Sequence, residues 1–182
     1  DVCSSDLMLA SVAGGGTANS EFEFLTGATT AFVGVGKIPY QLYQMSDVDS
    51  LTKDLKELGY TATAMHPQNP VNYHRDKIYQ QLGFGDFLSI DDFEGASYYH
   101  AGVCDYVTYD KILELLRTNE APQFIFDVTM QNHSGYDTGL LDEDDMTRLD
   151  IDGQSDQLID EYVTVIRHSD EDLEYFVNRL RE

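Results

Sequence analysis

At 182 residues, 42% apolar and 12% aromatic, the chain can bury a core of about one domain, which excludes a disordered polypeptide. Its formal net charge of -22 excludes nucleic acid as a partner, because phosphate backbones are held by clustered Lys and Arg. The same charge opposes unaided approach to anionic lipid, and no run of about twenty apolar residues could span a bilayer, so use of a lipid would require tethering through another segment.

Residues 1–7 are expected to be a non-native leader, since Val2-Cys3-Ser4-Ser5-Asp6-Leu7 looks like a translated sequencing-library adapter. That leaves residues 8–182 as the domain, with Cys104 as its one cysteine and no CxxC-type metal spacing. The apolar run 8–13 predicts a strand, broken by Gly14-Gly15-Gly16, where a helix begins with Thr17, Asn19 or Ser20 available as its cap. Val48, Leu51, Leu55 and Leu58 recur at helical spacing and predict a helix over 47–59, closed by Gly59. Residues 60–65 predict a strand that delivers His66 and the loop Pro67-Gln68-Asn69-Pro70, followed by a helix over 73–82. Beyond a loop region rich in Asp, Gly and Tyr, a helix is expected over 109–117 and a central strand over 124–130, which empties into Gln131-Asn132-His133-Ser134-Gly135-Tyr136. The acidic stretch 142–145 lacks the Asx spacing and glycine of an EF-hand and reads as a solvated loop. A final helix carries Ile159, Val163, Ile166, Leu173, Phe176 and Leu180 on one stripe.

Alternating strands and helices imply an α/β fold, a largely parallel sheet with helices on both faces. In such sheets polar residues just past the strand ends gather at one edge, and Thr17, His66 and His133 each follow an expected strand. Thr17, at a glycine-rich strand-to-helix turn, is placed either to attack a phosphate or simply to cap the helix; the Lys-Ser/Thr of a Walker loop is missing. His66 can donate a hydrogen bond or a proton, or bind a backbone carbonyl. Arg75 offers a planar fork suited to phosphate, or a salt bridge with Asp76 or another acid. The block 129–136 presents hydrogen-bonding side chains to a polar ligand, or forms a plain turn.

The run Gly14-Gly15-Gly16-Thr17-Ala18-Asn19-Ser20-Glu21-Phe22-Glu23-Phe24-Leu25-Thr26-Gly27 resembles the nucleophile block of lipoteichoic acid synthase-like phosphoglycerol transferases, in the alkaline phosphatase and sulfatase superfamily. Asn72-Tyr73-His74-Arg75-Asp76, Leu82-Gly83-Phe84 and Thr129-Met130-Gln131-Asn132-His133 look like later blocks of that family in the same order. The resemblance implies a partial alkaline phosphatase-like domain of an extracytoplasmic, membrane-anchored enzyme. It implies a single divalent cation, typically Mn2+, ligated by Thr17, which also attacks phosphorus. Glycerol phosphate would pass from phosphatidylglycerol to a teichoic acid or glycan acceptor, held by His66, Arg75, His133 and Tyr73. Tyr73 stands where the family often carries Trp, and Gln68 where an Asp can stand. The family's other metal ligands, a Glu upstream and an Asp-His pair downstream, have no counterpart here, so this chain alone is expected to be inactive. A sulfatase, a phosphoethanolamine transferase and a non-catalytic surface binding domain are the alternatives.

Overall fold

A computed structural model describes Val12, residues 15–150 and residues 152–182. The leader expected over 1–7 lies outside them, as does the strand expected over 8–13 except for Val12.

A three-stranded parallel sheet organises the chain. Its centre is β1 (Thr61–Met65), flanked by β2 (Asp86–Leu88) and β5 (Gln123–Asp127), with Met65 opposite Leu88 on one side and Asp127 on the other. The two-residue period of a strand sorts the side chains between two cores. Ala62 and Ala64 are small, and the space they leave is filled by the rings of Tyr79, Phe84, Phe87, Phe124 and Phe126 beneath α1 (Thr17–Thr26) and α4 (Arg75–Gln81). Tyr79 meets Phe84, Phe87 and Phe126 edge-on, the geometry that the ring quadrupole favours. Met65, Leu88 and Ile125 point the other way, against Phe93 and against Val107, Ile112 and Leu115 of α5 (Asp105–Thr118). Outside α5 lies α6 (Gln157–Leu180), joined to it by Tyr109 stacked on Phe176 at 4.8 Å and by the Tyr175 hydroxyl donating to Asp110. Helices therefore cover both sheet faces, as expected. The remaining elements among the described residues are the short helices α2 (Pro39–Leu42) and α3 (Leu51–Glu57), the antiparallel pair β3 (Tyr98–Tyr99) and β4 (Gly102–Val103), and 3-10 turns at Thr30–Phe32, Asn72–His74 and Ile90–Phe93.

Several expectations are corrected. The helix expected over 47–59 is shorter, starting at the Ser50 cap, and it buries Thr52 while Leu51 and Leu58 stay exposed. Helix α5 starts at Asp105, four residues before the periodic signal, because its first N–H groups find acceptors far along the chain. The Gln131 side chain accepts from Asp105 N at 3.0 Å and Asp172 accepts from Tyr106 N at 3.2 Å. On α6 the buried residues are Asp160, Glu161, Thr164 and Val165, whereas Ile166, Leu173 and Leu180 of the predicted stripe are exposed. Polar burial wins because these side chains satisfy the preceding loop: Asp160 accepts from Leu149 N, Glu161 from Thr138 N, and Thr164 from Thr147 N.

Asp127, at the carboxyl end of β5, is a buried carboxylate whose two oxygens have no donor among the described residues. The nearby Thr108 hydroxyl is committed to the Asp105 carbonyl at 2.9 Å. Burial is the main cause, with the Asp105 charge adding to it, of a pKa pushed up to about 6 from 3.8. The folded state therefore holds a proton that the unfolded state has released, and stability falls as pH rises from about 4 to about 6. Asp127→Asn is expected to raise the unfolding free energy by about 2–3 kcal/mol at pH 8 and by almost nothing at pH 4. Urea unfolding at the two pH values checks this; an equal effect at both would refute the ionisation account.

Candidate active site

Two tight glycines shape the start of α1. Gly15 and Gly16 have φ of 108° and 80°, backbone that favours glycine, and a Cβ on Gly16 would lie 3.3 Å from the Val12 side chain. Gly16 is the helix cap, and its carbonyl accepts from Asn19 N at 2.8 Å. The expectation that Thr17, Asn19 or Ser20 caps the helix is thus corrected. Thr17 occupies the first helical position, exposed, and among the described residues none hydrogen-bonds its hydroxyl.

That residue lines a cavity of about 1090 Å³ whose wall also includes His66, Tyr73, Arg75 and His133. All five residues singled out in the sequence meet there. Gln68, Gln41, Asn72 and Thr129 add polar lining. The parallel sheet explains the convergence, since β1 and β5 are in register and end together, so that His66 and the 128–133 segment leave from the same edge.

His66 follows β1 directly and is almost fully buried. Its Nδ1 lies 2.7 Å from the Val128 carbonyl, which requires Nδ1–H as donor. Burial first, then the Arg75 charge, lowers its pKa, so the ring is neutral at pH 7 and Nε2 is an acceptor. His133 is exposed, and its Nδ1 is held in the same way by the Ser134 carbonyl at 2.6 Å.

Arg75 is bound otherwise than as a simple phosphate fork. Although it reaches the cavity wall, it is 1% exposed and pairs with Glu21, Nε to Oε2 at 3.2 Å and Nη2 to Oε1 at 2.5 Å. The Tyr79 hydroxyl donates to Glu21 Oε2 at 2.8 Å. Burial alone would lower the Arg75 pKa, but the hydrogen bonds and charge of Glu21 outweigh it and raise it. The guanidinium therefore offers the cavity N–H donors, while its positive charge is already balanced by α1. Tyr73 lies over the guanidinium, 5.0 Å from ring centroid to Cζ. Both Tyr73 and His74 adopt positive φ, 55° and 60°, in the turn before α4.

Gln131, expected to face a ligand, points instead into the protein, where it caps α5. Its carbonyl also accepts from Ala101 N and faces His100 Nδ1 at 3.3 Å. His100 Nε2 in turn lies 3.0 Å from Glu161, with both side chains buried. Gly102 completes this support, since a Cβ there would stand 2.6 Å from the Met130 Cβ. These residues hold the segment that carries His133. No local pattern marks them, because each acts across a long stretch of chain.

Among the described residues, no group of three or more His, Cys, Asp or Glu side chains could hold a metal ion. Thr17 is the one donor of the implied set that is present, and a lone hydroxyl does not make a metal centre.

The profile of the Sulfatase family matches residues 3–182. The chain belongs to the sulfatase family. Lipoteichoic acid synthase-like YvgJ of Bacillus subtilis (strain 168) is 29% identical to this sulfatase-family chain over 168 residues, 91% of the chain and 25% of YvgJ. Among solved structures, the lipoteichoic acid synthase LtaP from Listeria monocytogenes shares its fold with a TM-score of 0.76 at 22% identity, over 93% of the chain and 41% of LtaP. The Streptococcus pyogenes phosphoglycerol transferase GacH, solved in complex with sn-glycerol-1-phosphate, superposes with a TM-score of 0.73 at 25% identity, over 95% of the chain and 46% of GacH. The chain spans about a quarter of the length of the curated relatives it matches. The expected lipoteichoic acid synthase-like kinship and the partial alkaline phosphatase-like fold are both borne out.

Proposed function

We propose that this sulfatase-family chain carries the nucleophile and the donor pocket of a phosphoglycerol transferase acting at the outer face of the cell membrane. The observation that carries the reading is the exposed Thr17 hydroxyl in one cavity with His66, His133, Tyr73 and Arg75. In the first step Thr17 Oγ1 attacks the phosphorus of phosphatidylglycerol. The bond to the diacylglycerol oxygen breaks, diacylglycerol leaves with a proton, and glycerol phosphate remains on Thr17. In the second step a hydroxyl of a teichoic acid or glycan acceptor takes it over and frees the threonine.

Each side chain has a physical part. With Nδ1–H given to Val128, neutral His66 accepts at Nε2 from a hydroxyl, and the glycerol head group supplies hydroxyl donors. His133, whose Nδ1 is held by the Ser134 carbonyl, offers its Nε2 as a second hydrogen-bonding atom. Arg75 gives N–H donors to phosphate oxygens, and Tyr73 covers the guanidinium from the other side. With His66 neutral and Arg75 balanced by Glu21, little net positive charge faces the phosphate. That is the charge a divalent cation, Mn2+ in this proposal, supplies to such chemistry. The donors among the described residues do not by themselves make its site.

The test is lipid turnover by the intact gene product supplied with Mn2+. Diacylglycerol release from phosphatidylglycerol, absent with phosphatidylethanolamine and without sulfate release from an aryl sulfate, supports the proposal. Release from phosphatidylethanolamine alone, or sulfate release alone, overturns it.

A further inference from the structure

The loop 132–137 supplies His133, Ser134 and Tyr136 to the wall of the Thr17 cavity. Its two ends are tied to one pair of buried side chains, His100 and Glu161. At the leading end the Gln131 carbonyl accepts from Ala101 N at 3.3 Å and faces His100 Nδ1, also at 3.3 Å. At the trailing end Glu161 accepts from Thr138 N at 2.8 Å and from the Thr138 hydroxyl. Burial alone would raise the Glu161 pKa, but the hydrogen bonds from Thr138 and His100 outweigh it and lower it. Glu161 is therefore a carboxylate, which can only accept, and His100 Nε2 at 3.0 Å carries the proton that joins the two.

The pair also grips the interior of the loop. The His100 ring stacks on Tyr136, centroids 5.7 Å apart and planes 16° apart, and Tyr162, next to Glu161 on α6, meets Tyr136 edge-on at 5.1 Å. The Tyr136 hydroxyl donates to the Asn132 carbonyl at 3.0 Å. His100 and Asp137 have φ of 49° and 66°, left-handed backbone that residues other than glycine keep where surrounding contacts fix it. The hydrogen bonds of His133 are local, its N–H to the Met130 carbonyl and its Nδ1 to Ser134, so the ends of the loop decide where it stands.

We propose that His100 and Glu161 form a clasp that positions the loop 132–137, and that this clasp sets His133 and Tyr136 for binding of the head group in the Thr17 cavity. Both stand behind the cavity wall and act through the loop, as positioning residues. A loop ordered before the ligand arrives spares the entropy of ordering it on binding, which raises affinity without any new contact. The inference rests on the donor-pocket reading only for the identity of the ligand.

Hydrogen exchange and head-group binding by the intact gene product test the clasp together. His100→Asn removes the bridge to Glu161 but suits the positive φ, because asparagine tolerates left-handed backbone. The expected result is exchange of the 132–138 amides faster by roughly tenfold or more, unchanged exchange in β1 and β5, and affinity for sn-glycerol-1-phosphate weaker by about tenfold. Thr138→Val, at an exposed residue, opens the other end and should produce both effects in smaller measure. Combined, the two changes should cost less than their sum, since they undo one clasp. In diacylglycerol release the loss should fall on KM more than on kcat, which a general loss of folded protein would not do. Exchange equal to that of the parent in both variants overturns the clasp, as does a rise spread evenly over the chain. Unchanged affinity in a loop whose exchange has risen overturns its role in binding and leaves the donor-pocket reading standing. A parent protein that binds no sn-glycerol-1-phosphate removes the donor-pocket reading, and the positioning role with it.

Discussion

Glu21→Ala is expected to lower the unfolding free energy by about 3–5 kcal/mol, since it leaves the Arg75 guanidinium buried without its counter-ion. Glu21 and Arg75 are 3% and 1% exposed, and the same carboxylate accepts from the Tyr79 hydroxyl, so two buried polar groups lose their partner together. Against a typical total stability of about 5–15 kcal/mol, such a loss unfolds much of the population at moderate temperature. Glu21→Gln should cost nearly as much, because the charge rather than the shape is missing. Replacing both partners, as in Glu21→Leu with Arg75→Met, should recover most of the stability, as paired apolar substitution of buried ion pairs often does. The double variant also separates structure from chemistry: it should fold yet fail to hold sn-glycerol-1-phosphate, because the N–H donors at the cavity wall are gone. Urea unfolding and calorimetric binding check the two halves. A single variant as stable as the parent would show that the pair carries no net structural weight.

Thr17→Ala in the intact gene product is expected to reduce head-group transfer from phosphatidylglycerol by about a thousandfold or more, because among the described residues Thr17 is the aliphatic hydroxyl of the cavity that stands at the start of a helix. The fold should hardly respond. Gly16 is the cap and the Thr17 hydroxyl is exposed, so the stability change should stay within about 0.5 kcal/mol. Affinity for sn-glycerol-1-phosphate should also persist, since its proposed contacts are His66, His133, Tyr73 and Arg75. Loss of transfer with stability and binding retained identifies a nucleophile. Unchanged transfer would remove Thr17 from the mechanism, and if transfer is absent in both parent and variant the domain is a binding module.

Much of the site was legible in the sequence because its parts are local. Glycines before a hydroxyl, a β-leaning run that empties into His66, and another that empties into Asn132-His133 are short patterns, and parallel strands carry such ends to one edge. The partners of those residues were not legible. Arg75 was expected to meet a phosphate, or to pair with Asp76 or another acid, and the acid proved to be Glu21, fifty-four positions away on α1. Gln131 stands in the middle of a ligand-like block, yet the bare N-terminus of α5 claims its side chain. On α6 the apolar stripe named only part of the buried face: Phe176 stacks on Tyr109, whereas loop N–H groups drew Asp160, Glu161 and Thr164 inward and left Ile166, Leu173 and Leu180 exposed.

The amino-acid sequence by itself determined the alternation of helices and strands and the parallel sheet, since periodicity and turn chemistry act over a few residues. Local chemistry offered Thr17, His66, Arg75 and His133 as candidates, and Tyr73 was named through the family resemblance. Only the tertiary structure decided the charge state of the cavity they share. It set His66 neutral against the Val128 carbonyl, gave Arg75 a buried counter-ion and held Thr17 free of the helix cap. Burial and hydrogen bonding to distant backbone set these states, and neither is written in local spacing.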